Sequence, residues 1–179
     1  MADGGANIGS SPGESGGSGL ERLINIGLAL SAERNHARLT ERILLEAVDI
    51  TQADGGTLYL CQGEDEERTL KFVILRNGTL KIAMGGTTGV EIKFPPLRLF
   101  NAETKQPNHN NVATHVALTG KAINIEDAYT AEGFDFSGTK KFDQGTGYRS
   151  QSFLTIPLKN YTDQVIGVLQ LINATGADG

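Results

Sequence analysis

Between Arg38 and Ile50 the apolar residues fall at helical spacing. Leu39, Ile43, Ala47 and Ile50 form one stripe, and Arg38, Glu41, Arg42, Glu46 and Asp49 cover the opposite side. A shorter amphipathic helix precedes it, carried by Leu20, Leu23, Ile24 and residues 27–30, with a break at residues 31–36. The pair Gly55-Gly56 is expected to stop the helical run. From Thr57 the period falls from 3.6 to 2. Thr57–Cys61 (TLYLC) and Thr69–Leu75 (TLKFVIL) read as strands joined by an acidic loop, with Asn77-Gly78 turning the chain into a return strand at Leu80–Ala83. Residues 84–89 form a Gly/Thr loop, and the segment Phe94–Asn111, with Pro95, Pro96 and Pro107, is too polar at its end to be core.

Asn111 is a suitable N-cap for the helix VATHVALT, and Gly120 suits the left-handed position that closes it. Ala122–Ile125 is a short strand. Residues 127–143 are polar and irregular, with a short helix around Gly138–Asp143. Ser152–Leu158 and Val165–Ile172 alternate cleanly about the polar turn Lys159–Gln164 and predict a β-hairpin. Helix, helix, three strands, helix, strand, irregular segment and two strands together imply an α+β fold: an antiparallel sheet of five or six strands, helices on one face and a pocket on the other.

Composition narrows what this fold does. The 179 residues suit one domain, able to bury roughly 70% of the unfolded chain's surface without staples. Residues 1–19 are a Gly/Ser-rich tail with too little apolar surface to offset its ordering entropy, so structure is expected from about Leu20 to the end as a single domain. The net charge of -5 comes without a basic stripe, which argues against nucleic acid and anionic membranes as partners. The single thiol, Cys61, cannot form an internal disulfide, and no apolar run approaches the roughly 18 residues of a membrane span, so the cytoplasm is the expected compartment.

Catalytic chemistry has no address in this pattern. Gly85-Gly86-Thr87-Thr88-Gly89 lacks the lysine of a phosphate-binding loop, and Gly120-Lys121 lacks the upstream glycine. His36, His109 and His115 stand in unrelated contexts, no metal is implied, and His115 reads as a satisfied helix residue. Cys61 ends an apolar strand and reads as an inert thiol. The residues around Gly145 and Gly147 remain. Asp143, Thr146, Ser150 and Ser152 put a carboxylate and three hydroxyls within ten residues. Such groups either orient a polar ligand in an apolar pocket or cap the helix and satisfy the turn.

The runs NVATHVALTGKAINIEDAY, FDFSGTKKFDQGTGYRSQSFLTIPLKN and QVIGVLQLIN closely resemble GAF domains of cyclic-nucleotide phosphodiesterases and of bacterial signalling proteins. Thr146-Gly147-Tyr148-Arg149-Ser150 and the strand ending Pro157-Leu158-Lys159-Asn160 resemble in particular bacterial GAF domains that precede HD or HD-GYP phosphohydrolase domains. The resemblance implies a regulatory sensor, not an enzyme in its own right, whose ligand positions match Val112, Ala113, Thr139, Asp143, Thr146, Ser150 and Gln170. Val112 and Ala113 would offer backbone amides, and Asp143 would bond a base edge. A cyclic nucleotide is the candidate ligand, with no cofactor beyond it. The usual glycine after Val-Ala is Thr114 here, and the usual Asn-Lys pair is Asn173-Ala174. The alternative is a dimerisation module with an empty pocket. The resemblance also implies a further helix beyond the last strand, which this chain lacks, so a homodimer through the N-terminal helices is expected to cover the apolar stripe left open.

Overall fold

The computed structural model describes residues 23 to 175 except 29, 31 and 33. The chain divides into two compact units, Met1–Arg34 and Asn35–Gly179. In the first, residues 23–28 are helical, as the spacing of Leu23 and Ile24 predicts. The Gly/Ser-rich stretch 1–19 and the expected start at Leu20 lie outside the described residues. The second unit is built from helix α1 (His36–Thr51), strands β1 (Ala53–Gln62), β2 (Thr69–Asn77), β3 (Ile82–Gly85) and β4 (Leu97–Arg98), helix α2 (Val112–Thr119), strand β5 (Ile123–Ile125), helix α3 (Ser137–Thr146), and the hairpin β6 (Phe153–Lys159) and β7 (Val165–Ala174).

The strands form one antiparallel sheet in the order β3-β2-β1-β7-β6-β5, with the two-residue β4 added beside β2. The expected α+β architecture is therefore present, with six strands in a continuous path. Because side chains alternate along a strand, β1 and β7 feed two separate cores. Leu58, Leu169 and Leu171 join Ile74 and Leu44 on the α1 face. Tyr59 and Val168 join Leu70, Val116 and Phe153 on the other. α2 packs on this second face, with the cavity described below.

A bulge in β2 serves both faces. Leu58 pairs with Ile74 but Tyr59 pairs with Phe72, so Val73 is the extra residue. Without it, Phe72 and Ile74 would share a face by simple alternation; with it, Ile74 reaches α1 and Phe72 the cavity.

α1 begins as its sequence demands, with the Asn35 side chain accepting from Ala37 N at 3.0 Å and Arg38 N at 3.1 Å. Two expectations about it are corrected. The buried position is Leu44, flanked by Ile43, Ala47 and Val48, while Ile50 is exposed. The helix is thus rotated from the expected stripe, because Leu44 sits over Gly56 of the central strand. Gly55-Gly56 does not stop the helix either. It ends at Gln52, in a left-handed conformation with φ 50°, and the glycine pair lies inside β1. A Cβ on Gly56 would come 2.9 Å from Leu44 Cδ1 and 2.8 Å from the Gln170 carbonyl oxygen, so only glycine lets α1 and β7 approach this closely.

α2 spans the expected eight residues. Asn111 accepts from Ala113 N at 2.9 Å, and Gly120 closes the helix at φ 64°. β3 starts two residues later than expected because the turn consumes Thr79–Lys81: Leu80 N donates to Asn77 Oδ1 at 2.7 Å and Lys81 N to the Gly78 carbonyl at 3.1 Å.

Leu44→Ala should cost about 2–5 kcal/mol of unfolding free energy, as large-to-small core changes do. Gly56→Ala, which adds a single methyl, should also destabilise by forcing α1 off the sheet. Urea titration followed by circular dichroism measures both; a Gly56→Ala protein as stable as the wild type would contradict this account of the α1 packing.

Candidate functional site

On the face away from α1 the sheet carries a cavity of about 370 Å³. Its floor is β1, β2 and β7, presenting Thr57, Tyr59, Phe72, Gln170 and Ile172. α3 supplies Gly138, Thr139 and Phe142, the loop after it Tyr148 and Ser150, and the segment before β4 Phe94. The lining is mainly apolar and aromatic. The Tyr59 and Phe72 rings lie 4.7 Å apart, and Phe72 and Phe94 5.5 Å apart.

Polar groups enter at one end. The Tyr59 hydroxyl donates to Gln170 Oε1 at 3.3 Å, and Gln170 Nε2 donates to Thr155 Oγ1 at 3.1 Å. Burial pushes the Tyr59 phenol well above the ordinary tyrosine range, with Thr57 a weaker opposing influence. It therefore stays a neutral donor throughout the physiological range.

Asp143 is the hub behind the wall. It is buried, accepting from Ser150 N at 2.7 Å and Tyr129 Oη at 2.7 Å through one oxygen, and from Ser150 Oγ at 2.8 Å through the other. Three donors suffice to hold a buried carboxylate. The Arg149 guanidinium stacks 4.3 Å from the Tyr129 ring and pairs with Asp127 at 3.0 Å, so the loop before α3 and the loop after it are joined.

Tyr148 closes the cavity from the same loop. Its hydroxyl donates to Asp54 at the start of β1 and accepts from Asn173 Nδ2 at 2.9 Å at the end of β7. Asn173, with φ 54°, also accepts from Gln151 N at 2.8 Å and donates to the Arg149 carbonyl at 2.9 Å. Asp54 additionally accepts from Thr79 N at 3.0 Å and Oγ1 at 2.8 Å. Burial alone would raise the Asp54 carboxyl, but hydrogen bonds from Tyr148, Thr79 and Asn77 outweigh it and hold it below the usual range. Burial, reinforced by the Asp54 carboxylate, pushes the Tyr148 phenol up to about 12.

The family described as "GAF domain" matches residues 35–178. The chain belongs to the GAF family. Among curated relatives, the cGMP-specific 3',5'-cyclic phosphodiesterases of Drosophila sechellia and Drosophila melanogaster are each 31% identical over 140 residues, 76% of this chain. The chain spans about a tenth of their length, 10% and 11%. The GAF domain of a phosphoenolpyruvate-protein phosphotransferase from Coxiella burnetii superposes with a TM-score of 0.61 at 14% identity, covering 90% of this chain and 80% of that one. The free methionine-R-sulfoxide reductase of Neisseria meningitidis superposes at 0.56 and 12% identity, covering 96% and 84%. At such identities the two structures speak for the fold alone.

Within this GAF domain the seven residues singled out in the sequence separate into groups. Thr139, Ser150 and Gln170 line the cavity. Asp143 and Thr146 do not: Asp143 is consumed by Ser150 and Tyr129, and the Thr146 hydroxyl donates to the Phe142 carbonyl at 2.9 Å. Val112 and Ala113 are buried in the core, and Ala113 N is taken by Asn111. Of the two readings of the Asp143–Ser152 hydroxyls and carboxylate, capping and turn formation thus describes Asp143 and Thr146. Sequence reasoning missed Tyr148, Asp54, Asn173 and the aromatic walls. The alternation of Thr57, Tyr59, Phe72 and Ile172 carried that signal, hidden by the bulge at Val73. Among the described residues, no group of three or more His, Cys, Asp or Glu side chains could hold a metal ion, and no helix is long and apolar enough to cross a membrane.

Asp143→Ala should lower the unfolding free energy of the unliganded domain markedly, by about 1–3 kcal/mol, because it strands the buried Ser150 amide. Thr146→Ala, whose hydroxyl is exposed, should cost under about 1 kcal/mol. Thermal unfolding separates them, and an Asp143→Ala protein with unchanged stability would contradict the hub. Tyr148 yields a pH signature. A phenol whose value is raised on folding contributes stability that is complete below the unfolded value near 10.0 and lost as pH climbs towards 12. Between those values the wild type should lose stability relative to Tyr148→Phe, measured by urea titration at each pH; parallel curves would contradict it.

Proposed function

We propose that this GAF domain is a regulatory small-ligand sensor within a signal-transduction protein, and that any catalysis resides in other parts of that protein. The observation carrying this reading is the cavity closed by Tyr148, whose hydroxyl is held at once by Asp54 and Asn173. A ligand that displaces the ring changes hydrogen bonds at the start of β1 and the end of β7 together. Binding energy is thereby coupled to the segment that leads out of the sheet.

The ligand, the output and the assembly are finer proposals. Cyclic nucleotides are the first ligands to screen, given the names of the phosphodiesterase relatives. An HD-type phosphohydrolase is the proposed output domain, on the strength of the Thr146–Asn160 resemblance. A second reading, a dimerisation module with an empty pocket, draws on the exposure of Leu45 and Ile50 on α1, 46% and 50%. Under either reading the proposed assembly is a homodimer formed through the N-terminal helices.

A thermal-shift screen of cyclic mono- and dinucleotides, with sedimentation in parallel, tests the set. A ligand at a hundredfold excess over its dissociation constant should stabilise the fold by about 2.7 kcal/mol, and the domain itself should turn none of them over. Hydrolysis of a cyclic nucleotide abolished by a point mutation within residues 35–175 would overturn the sensor reading. A monomer at all accessible concentrations would remove the dimer.

A further inference from the structure

Resting on the reading of this cavity as the ligand site, we propose that the loop between β3 and β4 carries its occupancy to α1, and that Glu41 is the residue at which α1 receives it. The loop touches both places. Its far end supplies Phe94 and Pro95 to the cavity lining. Its near end sets Thr87 against α1, where the Thr87 amide donates to Glu41 Oε2 at 3.0 Å and the Thr87 hydroxyl donates to the same oxygen.

The contact on α1 is a shielded one. Arg76 and Glu41 pair there with side chains only 12% and 14% exposed. Through Nη1, Arg76 also donates to the Met84 carbonyl at 2.6 Å and the Leu75 carbonyl at 2.8 Å, which fixes the end of β3 from which the loop departs. Gly86, at φ 60°, passes directly over the pair: a Cβ there would come 3.1 Å from Glu41 Oε2 and 3.3 Å from Arg76 Nη2. When the loop leaves, Glu41 loses both Thr87 donors and keeps Arg76. A carboxylate so shielded resists that loss until water replaces them, so the loop has a latched and a released arrangement.

The two ends move together. Gly85 N donates to the Val90 carbonyl at 2.7 Å, and the Thr88 hydroxyl donates to the Gly85 carbonyl at 2.8 Å while accepting from Val90 N at 3.1 Å. Ile92 lies over Gly85, its Cδ1 3.0 Å from where a Cβ would stand. The chain from Gly85 to Ile92 is thus tied to itself, and Phe94 is two residues further on. The bulge of β2 joins the ends from beneath. The Val73 carbonyl accepts from Gly86 N at 3.2 Å, and the neighbouring Phe72 ring lies 5.5 Å from the Phe94 ring.

Phe94 sets the direction of the coupling. It is 45% exposed, with Phe72 beside it at the cavity. A ring bound in the cavity offers it a second apolar surface only while the loop is latched. Ligand and latch therefore stabilise each other, by the same factor in each direction.

Limited trypsin digestion reads the latch without a ligand, at Lys93, which is exposed in the loop just before Phe94. Glu41→Gln, which keeps the side chain's shape, and Thr87→Val, which removes one exposed hydroxyl, should each raise cleavage at Lys93 severalfold relative to cleavage elsewhere in the chain. The fluorescent apolar probe N-phenyl-1-naphthylamine reads the coupling. Glu41→Gln should weaken its binding about fivefold, and saturating probe should slow hydrogen exchange at the Thr87 amide by about the same factor. Phe94→Ala should also weaken it, and the double variant should bind no worse than Phe94→Ala alone. Losses that add, Thr87 exchange indifferent to the probe, or unchanged Lys93 cleavage in both variants would each overturn the coupling and leave the sensor reading intact. No probe binding, or binding that survives Ile172→Trp on the cavity floor, would remove the cavity as a ligand site and with it this inference.

Discussion

Everything in this domain depends on β1 being buried on both faces at the centre of an antiparallel sheet. A strand so placed normally reads as a continuous apolar run, but here it must also admit a helix at close range. Gly55-Gly56 meets that demand at its first half, where Leu44 of α1 rests on the backbone, and Leu58 and Tyr59 divide the second half between two cores. Burying Leu44, Leu58, Ile74 and Leu171 on one side fixes α1 and frees the other side to be hollow. The cavity lies beside a second apolar core on the opposite face, where Tyr59, Leu70, Val116, Phe153 and Val168 are buried under α2.

Charge is sorted by the same division. The Arg76–Glu41 pair lies on the α1 face, largely shielded, with Thr87 N and the Arg76 contacts to Leu75 and Met84 completing its hydrogen bonds. Burial would raise the Glu41 carboxyl, yet bonds from Thr87 and Arg76 hold it below the usual range, so the pair stays ionised in neutral solution. The gain is local: it ties the loop after β3 to α1. The cavity face keeps its polar atoms neutral and paired, and among the described residues no buried side-chain nitrogen or oxygen lacks a partner.

Local chemistry was legible in the sequence wherever it was self-contained. Asn111 and Gly120 bracket α2 because capping needs only residues within one turn, and the β6–β7 hairpin follows from alternation and a polar turn. What could not be read required knowing the opposite surface. The rotation of α1 is set by Gly56, not by its own apolar spacing, and within the glycine pair that looked like a helix stop Gly56 is the docking floor. The cavity joins residues from 57 to 172, and the bulge at Val73 breaks the period that would have placed Phe72 beside Tyr59. Asp143 was legible as a polar group with two open readings, ligand contact or turn formation, and only the fold, by bringing Tyr129 and Ser150 to the same carboxylate, separates them.

That last distinction decides which part of the loop after α3 is fixed. A buried carboxylate with three donors is a fixed point: moving it would strand the Ser150 amide, at a cost of about 1–3 kcal/mol for the stranded group. Tyr148 stands two residues before Ser150 and only one residue beyond the left-handed Gly147 at φ 70°. Its ring lines the cavity, while its hydroxyl meets Asp54 and Asn173. Just beyond Asn173, Thr175 Oγ1 donates to the Gln52 carbonyl at 3.3 Å, at the residue that ends α1. The loop that carries Tyr148 is thus tied at Asp143 and again at Asn173, where the sheet's last strand and the end of α1 meet.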